Sequence, residues 1–141
     1  MAWQEILLRL GVAAVIGAAI GLDRELRHKS AGFRTIAIVC VGVALATLAT
    51  NDTDPAAASR VVQGALAGIG FLGAGVIMHH AEGGGVEGLT TAAAIWTSAA
   101  IGAACGLGYW AAALIAATIV ILLLAVGGAI ERRLRKPNAA G

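Results

Sequence analysis

Residues 88–130 read GLTTAAAIWTSAAIGAACGLGYWAAALIAATIVILLLAVGGAI, 43 positions between Glu87 and Glu131 without a charged side chain. The hydrocarbon core of a bilayer takes about 20 apolar residues as one helix, so this run holds two spans. Gly106-Leu107-Gly108, followed by Tyr109-Trp110, supplies the break between them: glycines for a tight turn and aromatic rings for an interface. Working toward the N-terminus, 21 uncharged residues separate Arg60 from Glu82 and 17 separate Arg34 from Asp52. Each gap is one further span. A last apolar stretch runs from Trp3 to Leu22, with Arg9 near its start expected to snorkel to the interface. A cleaved signal peptide carries its positive charges before the apolar run, whereas Arg24, Arg27, Lys29 and Arg34 all follow this one.

Composition agrees. The chain has 141 residues, 59% of them hydrophobic and 13% charged, against about 25% charged in a soluble domain. Its 33 alanines and 20 glycines leave too little polar surface for a water-soluble fold and too few polar residues for a disordered one. The net charge of +2, without a basic stripe, is no nucleic-acid signature. The expected fold is an all-α membrane protein with one transmembrane domain, residues 1–130, and a short basic tail, 131–141. Its five transmembrane helices fall at about 3–22, 35–51, 61–81, 88–105 and 109–130.

Five spans put the termini on opposite sides of the membrane. With the N-terminus outside, eight Lys/Arg residues fall on the inner side and only Arg9 and Arg60 on the outer. The positive-inside rule therefore places the C-terminus in the cytoplasm. Trp3, Tyr109 and Trp110 then share the outer interface. Cys40 and Cys105 are expected at depths too different for a disulfide.

Gly68-Ile69-Gly70-Phe71-Leu72-Gly73 matches the dinucleotide fingerprint, but it lies inside an apolar span with no preceding strand. Packing is the better account of the glycines. Gly17/Gly21, Gly64/Gly68 and Gly102/Gly106 have G-x-x-x-G spacing, and Gly70, Gly73 and Gly75 add to the same dense helix. That density also admits a local helix break or a site. On the inner side Asp23 and Glu25 converge with Glu82 and Glu87. Mg²⁺ needs only one or two carboxylates with waters, so Asp23, Glu25 and Glu87 are candidate metal ligands. The competing reading pairs the acids with Arg24, Arg27 or Arg34 as a charged boundary. Residues 23 and 25 lie about 200° apart on a helix, so one acid is expected to face the bundle, against Arg34 or the start of the fourth helix at Thr90/Thr91. There Thr90 or Thr91 is expected to cap first-turn amides or to bond between helices. Adjacent His79 and His80 point apart and read as interfacial. No Ser/His/Asp set, zinc spacing or phosphate loop appears, so no enzyme activity is expected.

Gly21-Leu22-Asp23-Arg24-Glu25, Ala31-Gly32-Phe33-Arg34-Thr35, Gly68 through Ile77 and Gly88-Leu89-Thr90-Thr91-Ala92-Ala93 occur in this order along the chain. Together they resemble the successive signatures of the MgtC/SapB family of bacterial inner-membrane proteins. The resemblance implies a five-helix domain with a cytoplasmic C-terminus and an association with Mg²⁺ limitation. The first motif has Asp23 where the family often has Glu, and Ile36 stands where it often has His. MgtC-type members also carry a cytoplasmic C-terminal domain, and a chain ending 11 residues past its last helix is expected to be a short form without it. The expected function is divalent cation (Mg²⁺) transport or homeostasis by a lipid-embedded homo-oligomer, a dimer being favoured. The alternative is a non-transporting regulator that docks on a larger membrane complex, since some family members bind the ATP synthase. No cofactor other than Mg²⁺ is implied.

Overall fold

In a computed structural model the chain is described over residues 1–50, 55–79 and 87–134. The described residues form five helices: α1 Trp3–Leu26, α2 Phe33–Leu48, α3 Pro55–His79, α4 Leu89–Leu107 and α5 Trp110–Leu134. Four of them, all but α2, are long and apolar enough to cross a membrane, and α2 is a shorter apolar helix of 16 residues. Proline opens α3 at the first helical position, where its missing N–H costs no internal bond. Left-handed Gly108 (φ 80°) ends α4, with Tyr109 N–H bonded to the Ala104 carbonyl at 2.8 Å. That is the turn expected at Gly106–Gly108.

Helix α4 touches all four other helices, and α1, α2 and α4 enclose the core. Ile20, Ile36, Cys40, Ile95, Ser98 and Cys105 are fully buried among them. Helix α3 leans on α4 and α2, and α5 leans on α4 and α1. Close approach is made by glycine. A Cβ on Gly17 would lie 2.8 Å from Cys40 Cβ, and one on Gly21 would lie 2.7 Å from Phe33 Cα. A Cβ on Gly102 or Gly106 would lie 3.0 Å from the carbonyl carbon of Cys40 or Ala44. Both G-x-x-x-G pairs therefore open onto α2, which is held between α1 and α4. Without a hydrophobic force between helices in lipid, this backbone proximity supplies the van der Waals attraction.

The third helix behaves differently. It is continuous through its glycines, so neither a break nor a phosphate loop exists at Gly68–Gly73. Gly73 sits against Ala92 Cβ, but Gly64, Gly68, Gly70 and Gly75 have nothing within 4 Å of a Cβ position. Within one chain these four pack against no other described element. The cysteines are free, as expected, but the depths expected for them need correction. Cys40 backbone lies against Gly102, less than one turn from Cys105, and both thiols share one core cluster and remain free. The short α2 lies alongside the second half of α4, so depth counted from loop ends overstated their separation.

The two glycine classes give opposite expectations. Gly102→Ala should lower the thermal stability of the purified protein, overpacking costing about 1–3 kcal/mol. Gly64→Ala should leave it unchanged or raise it by up to about 1 kcal/mol through helix propensity. Thermal unfolding in detergent at a protein concentration where the chain is monomeric distinguishes them.

Candidate functional site

Helix α1 continues through Asp23-Arg24-Glu25-Leu26, so one helical turn carries the charges at its end. Successive residues on a helix point about 100° apart, and this turn uses the divergence to reach three neighbours. Arg24 is 3% exposed, and its Nη2 donates to Thr91 Oγ1 of α4 at 2.9 Å. Arg27 Nε donates to Asp23 Oδ1 at 2.9 Å, one turn back on α1. The same guanidinium covers Gly128 of α5, where a Cβ would lie 2.7 Å from Arg27 Cζ. Glu25 Oε2 accepts the N–H of Phe33 at 3.0 Å, capping the first turn of α2 from outside. A Cβ on Gly32 would lie 2.8 Å from Glu25 Cδ, so a larger residue there would displace this carboxylate.

The turn is closed by a Schellman motif. Lys29 N–H bonds to Arg24 O at 3.0 Å and His28 N–H to Glu25 O at 2.9 Å, with His28 left-handed at φ 52°. The tight corner brings α2 back along α1. Asp23 Oδ2 is buried and has no hydrogen-bond partner among the described residues. Among the described residues, one oxygen of this carboxylate thus answers Arg27 and the other meets no donor.

These positions correct the expected pairing. Arg34 is exposed and forms no ion pair with either acid among the described residues. The group that faces the start of α4 is Arg24, not an acid. Thr91 accepts from it, and no side chain caps α4, whose N-cap is left-handed Gly88. Thr90 and Glu87 are exposed. Asp23, Glu25 and Glu87 do not come together, and no group of three His, Cys, Asp or Glu side chains suited to a metal occurs among the described residues. His80 and Glu82 lie outside the described residues.

Sequence reasoning missed the counterpart at the other end of the bundle. Arg9 does not snorkel. It is 8% exposed, and its Nη1 donates to Gly106 O of α4 at 2.6 Å while Nη2 pairs with Glu5. Its guanidinium also fills the space beside Gly108. The signal was the spacing: Arg9 and Arg24 lie 15 residues apart on α1, as Thr91 and Gly106 do on α4, or about 22 Å at 1.5 Å per residue. Two antiparallel helices are fastened at both ends by arginines from one of them.

Removing the acceptor should expose this fastening. Thr91→Val, which keeps the shape and deletes the hydroxyl, should cost about 1.5–3 kcal/mol, the range for a hydrogen bond to a charged group. Thr90→Val, at an exposed neighbour, should cost less than about 0.5 kcal/mol. Equal losses in thermal or denaturant unfolding would contradict the Arg24–Thr91 assignment.

Comparison with known proteins gives this architecture a family. Protein MgtC of Salmonella typhimurium is 49% identical over 116 residues, covering 82% of this chain and 49% of its own length. Protein MgtC of Brucella abortus is 41% identical over 121 residues, covering 83% of this chain and 49% of its own. Protein SrpB of Synechococcus elongatus is 43% identical over 135 residues, covering 86% and 74%. The chain spans about half the length of the MgtC proteins it matches. No solved structure matches. The match to the MgtC family runs over residues 10–133, from beside Arg9 to the end of α5, so with its several membrane-length helices the chain is a multi-pass membrane protein that belongs to the MgtC family.

Proposed function

We propose that this chain acts in divalent cation, specifically Mg²⁺, transport or homeostasis in the bacterial inner membrane, with five spans, the N-terminus outside and the C-terminus in the cytoplasm. Asp23 Oδ2 carries the reading: it is a buried carboxylate oxygen with no hydrogen-bond partner among the described residues, beside only one cation contact. A buried acceptor left unanswered costs about 1–3 kcal/mol, and a hydrated Mg²⁺ arriving at one carboxylate offsets that cost. Glu25 is engaged with the Phe33 amide, so it contributes charge to the neighbourhood and Asp23 is the ligand. Calorimetry with Mg²⁺ on purified protein and on Asp23→Asn tests this. Binding by the parent and a loss of at least about tenfold in the variant are expected, as for a removed ligand contact. No binding by either would sink the reading.

A second reading, a non-transporting regulator, is favoured by α3. The face of Gly64, Gly68 and Gly75 is open to its surroundings, and Phe71 stands 82% exposed on the same side. Helix α5, by contrast, presents Leu114, Ile119, Leu122 and Leu123 outward, a side-chain set suited to lipid. Backbone exposed along α3 suits another helix, from a second copy in a homodimer or from a larger membrane complex such as the ATP synthase. Pull-down from mild detergent separates the cases. A stoichiometric foreign membrane protein supports the regulator, and self-association alone supports the oligomeric transporter.

The orientation has its own test. A fluorescent protein fused after residue 134 should glow in cells, and alkaline phosphatase fused at the same point should be inactive. The reverse pattern would place the charged end of α1 outside.

A further inference from the structure

One side of α3 is turned away from the rest of the chain, and it carries a polar group that the chain does not answer. Gln63, Ala67, Gly70 and Ala74 are all exposed. Their spacing of four, three and four residues puts them within about 60° of one another around a helix that turns 100° per residue. It is also the spacing of the seam between two parallel, left-handed supercoiled helices. Gly64, Gly68 and Gly75 lie beside this stripe, with nothing within 4 Å of a Cβ position. Small side chains at three of the four stripe positions let a second backbone come close. The fourth is not small. Gln63 lies seven residues inside the apolar span Ala56–Ile77, about 10 Å from its start, and its carboxamide has no hydrogen-bond partner among the described residues. Acyl chains offer an amide neither donor nor acceptor. Thr97 of α4 and Thr118 of α5, also exposed, avoid that cost by bonding back to Ala93 O and Leu114 O of their own helices.

We propose that Gln63 marks a homodimer interface, in which a second copy lays its own α3 alongside and the two Gln63 carboxamides hydrogen-bond to each other across a two-fold axis. This rests on the reading above that the open α3 face takes another helix, and it commits that face to one occupant. Two features select a second copy over a foreign helix. Copies inserted in the same orientation are related by an axis along the membrane normal, so their α3 helices run parallel and like positions meet near the axis. A carboxamide is its own complement, each one offering N–H donors and a carbonyl acceptor to the other. The stripe therefore matches itself twice over, small residue against small residue and amide against amide. The Gln63 pair fixes the register, as one polar seam position does in coiled coils. Arg60, one turn nearer the start of α3, is engaged within its own chain.

The test uses the whole chain in density-matched detergent, read by sedimentation equilibrium. The parent should dimerise. Gln63→Leu, at an exposed position, should weaken the dimer by about five- to thirtyfold, the range for an interhelical polar contact in model membrane peptides. Gln63→Asn, still self-complementary, should retain most of the affinity. The unfolding temperature of dilute protein checks that each variant is folded. Disulfide trapping in membranes then locates the seam. Ala67→Cys should cross-link between copies, and Leu72→Cys, exposed but about 140° further round the helix, should not. Cys40 and Cys105 are fully buried, and the parent serves as the control for them. A dimer that Gln63→Leu leaves unchanged, or cross-linking at Leu72→Cys in place of Ala67→Cys, overturns the proposal. A monomeric parent that captures a foreign membrane protein also overturns it, while leaving α3 as a helix-binding face. A monomeric parent that captures nothing defeats both readings.

Discussion

A guanidinium inside an apolar bundle has to find oxygen, and the need is sharper in lipid than in water. Insertion of an arginine at mid-bilayer costs about 2.5–3.5 kcal/mol on insertion scales, less toward the interface but never nothing when the side chain is turned inward. Arg24 reaches the Thr91 hydroxyl and Arg9 reaches the Gly106 carbonyl. Once both ends of α1 are fastened to α4, the two helices have a fixed register, and the surfaces offered to α2 follow from it. Gly17 and Gly21 on one helix and Gly102 and Gly106 on the other then face the same neighbour. Polar pairing sets the register, and small residues convert it into close packing.

The two ends are not electrostatically equivalent. Arg9 lies at the C-terminal end of α4, where the helix dipole favours a positive charge and the last carbonyls lack intrahelical donors. Arg24 lies at the N-terminal end, where the dipole opposes it. The fastening at Arg9 is therefore supported twice, by hydrogen bond and by dipole, with Glu5 as a counter-charge. The fastening at Arg24 includes a side-chain oxygen, the Thr91 hydroxyl.

Much of this was legible in the sequence because charge is so scarce. Uncharged gaps mark the helices, Gly106–Gly108 marks the α4–α5 turn, and the turn at Asp23–Glu25 announces itself as the place where polarity returns. Which partner each charge takes was not legible. Asp23, Arg24 and Glu25 are consecutive, so a small error in where α1 ends rotates each onto a different neighbour. The expected span ended at about Leu22, with Asp23 and Glu25 set on a continuing turn and one acid facing inward; α1 does continue to Leu26, and the residue it sends to α4 is Arg24. Arg9 was misread for a related reason. Snorkelling is the ordinary fate of an arginine near a span's end, and only the matched spacing against α4 shows that an internal carbonyl lies within reach.

The glycines were the hardest to read, since one spacing serves two physical situations. Gly102/Gly106 and Gly64/Gly68 both present a backbone strip, yet a Cβ on the first pair would strike α2 and one on the second would meet nothing. The difference comes from tertiary placement alone. In water an uncovered glycine face would be answered by solvent. In lipid, acyl chains fill a shallow groove less densely than another helix does, and the dispersion attraction forgone there is about 0.1–0.2 kcal/mol for each atom pair. Summed along the turns from Gly64 to Gly75, that deficit is the physical argument behind the helical neighbour proposed for α3.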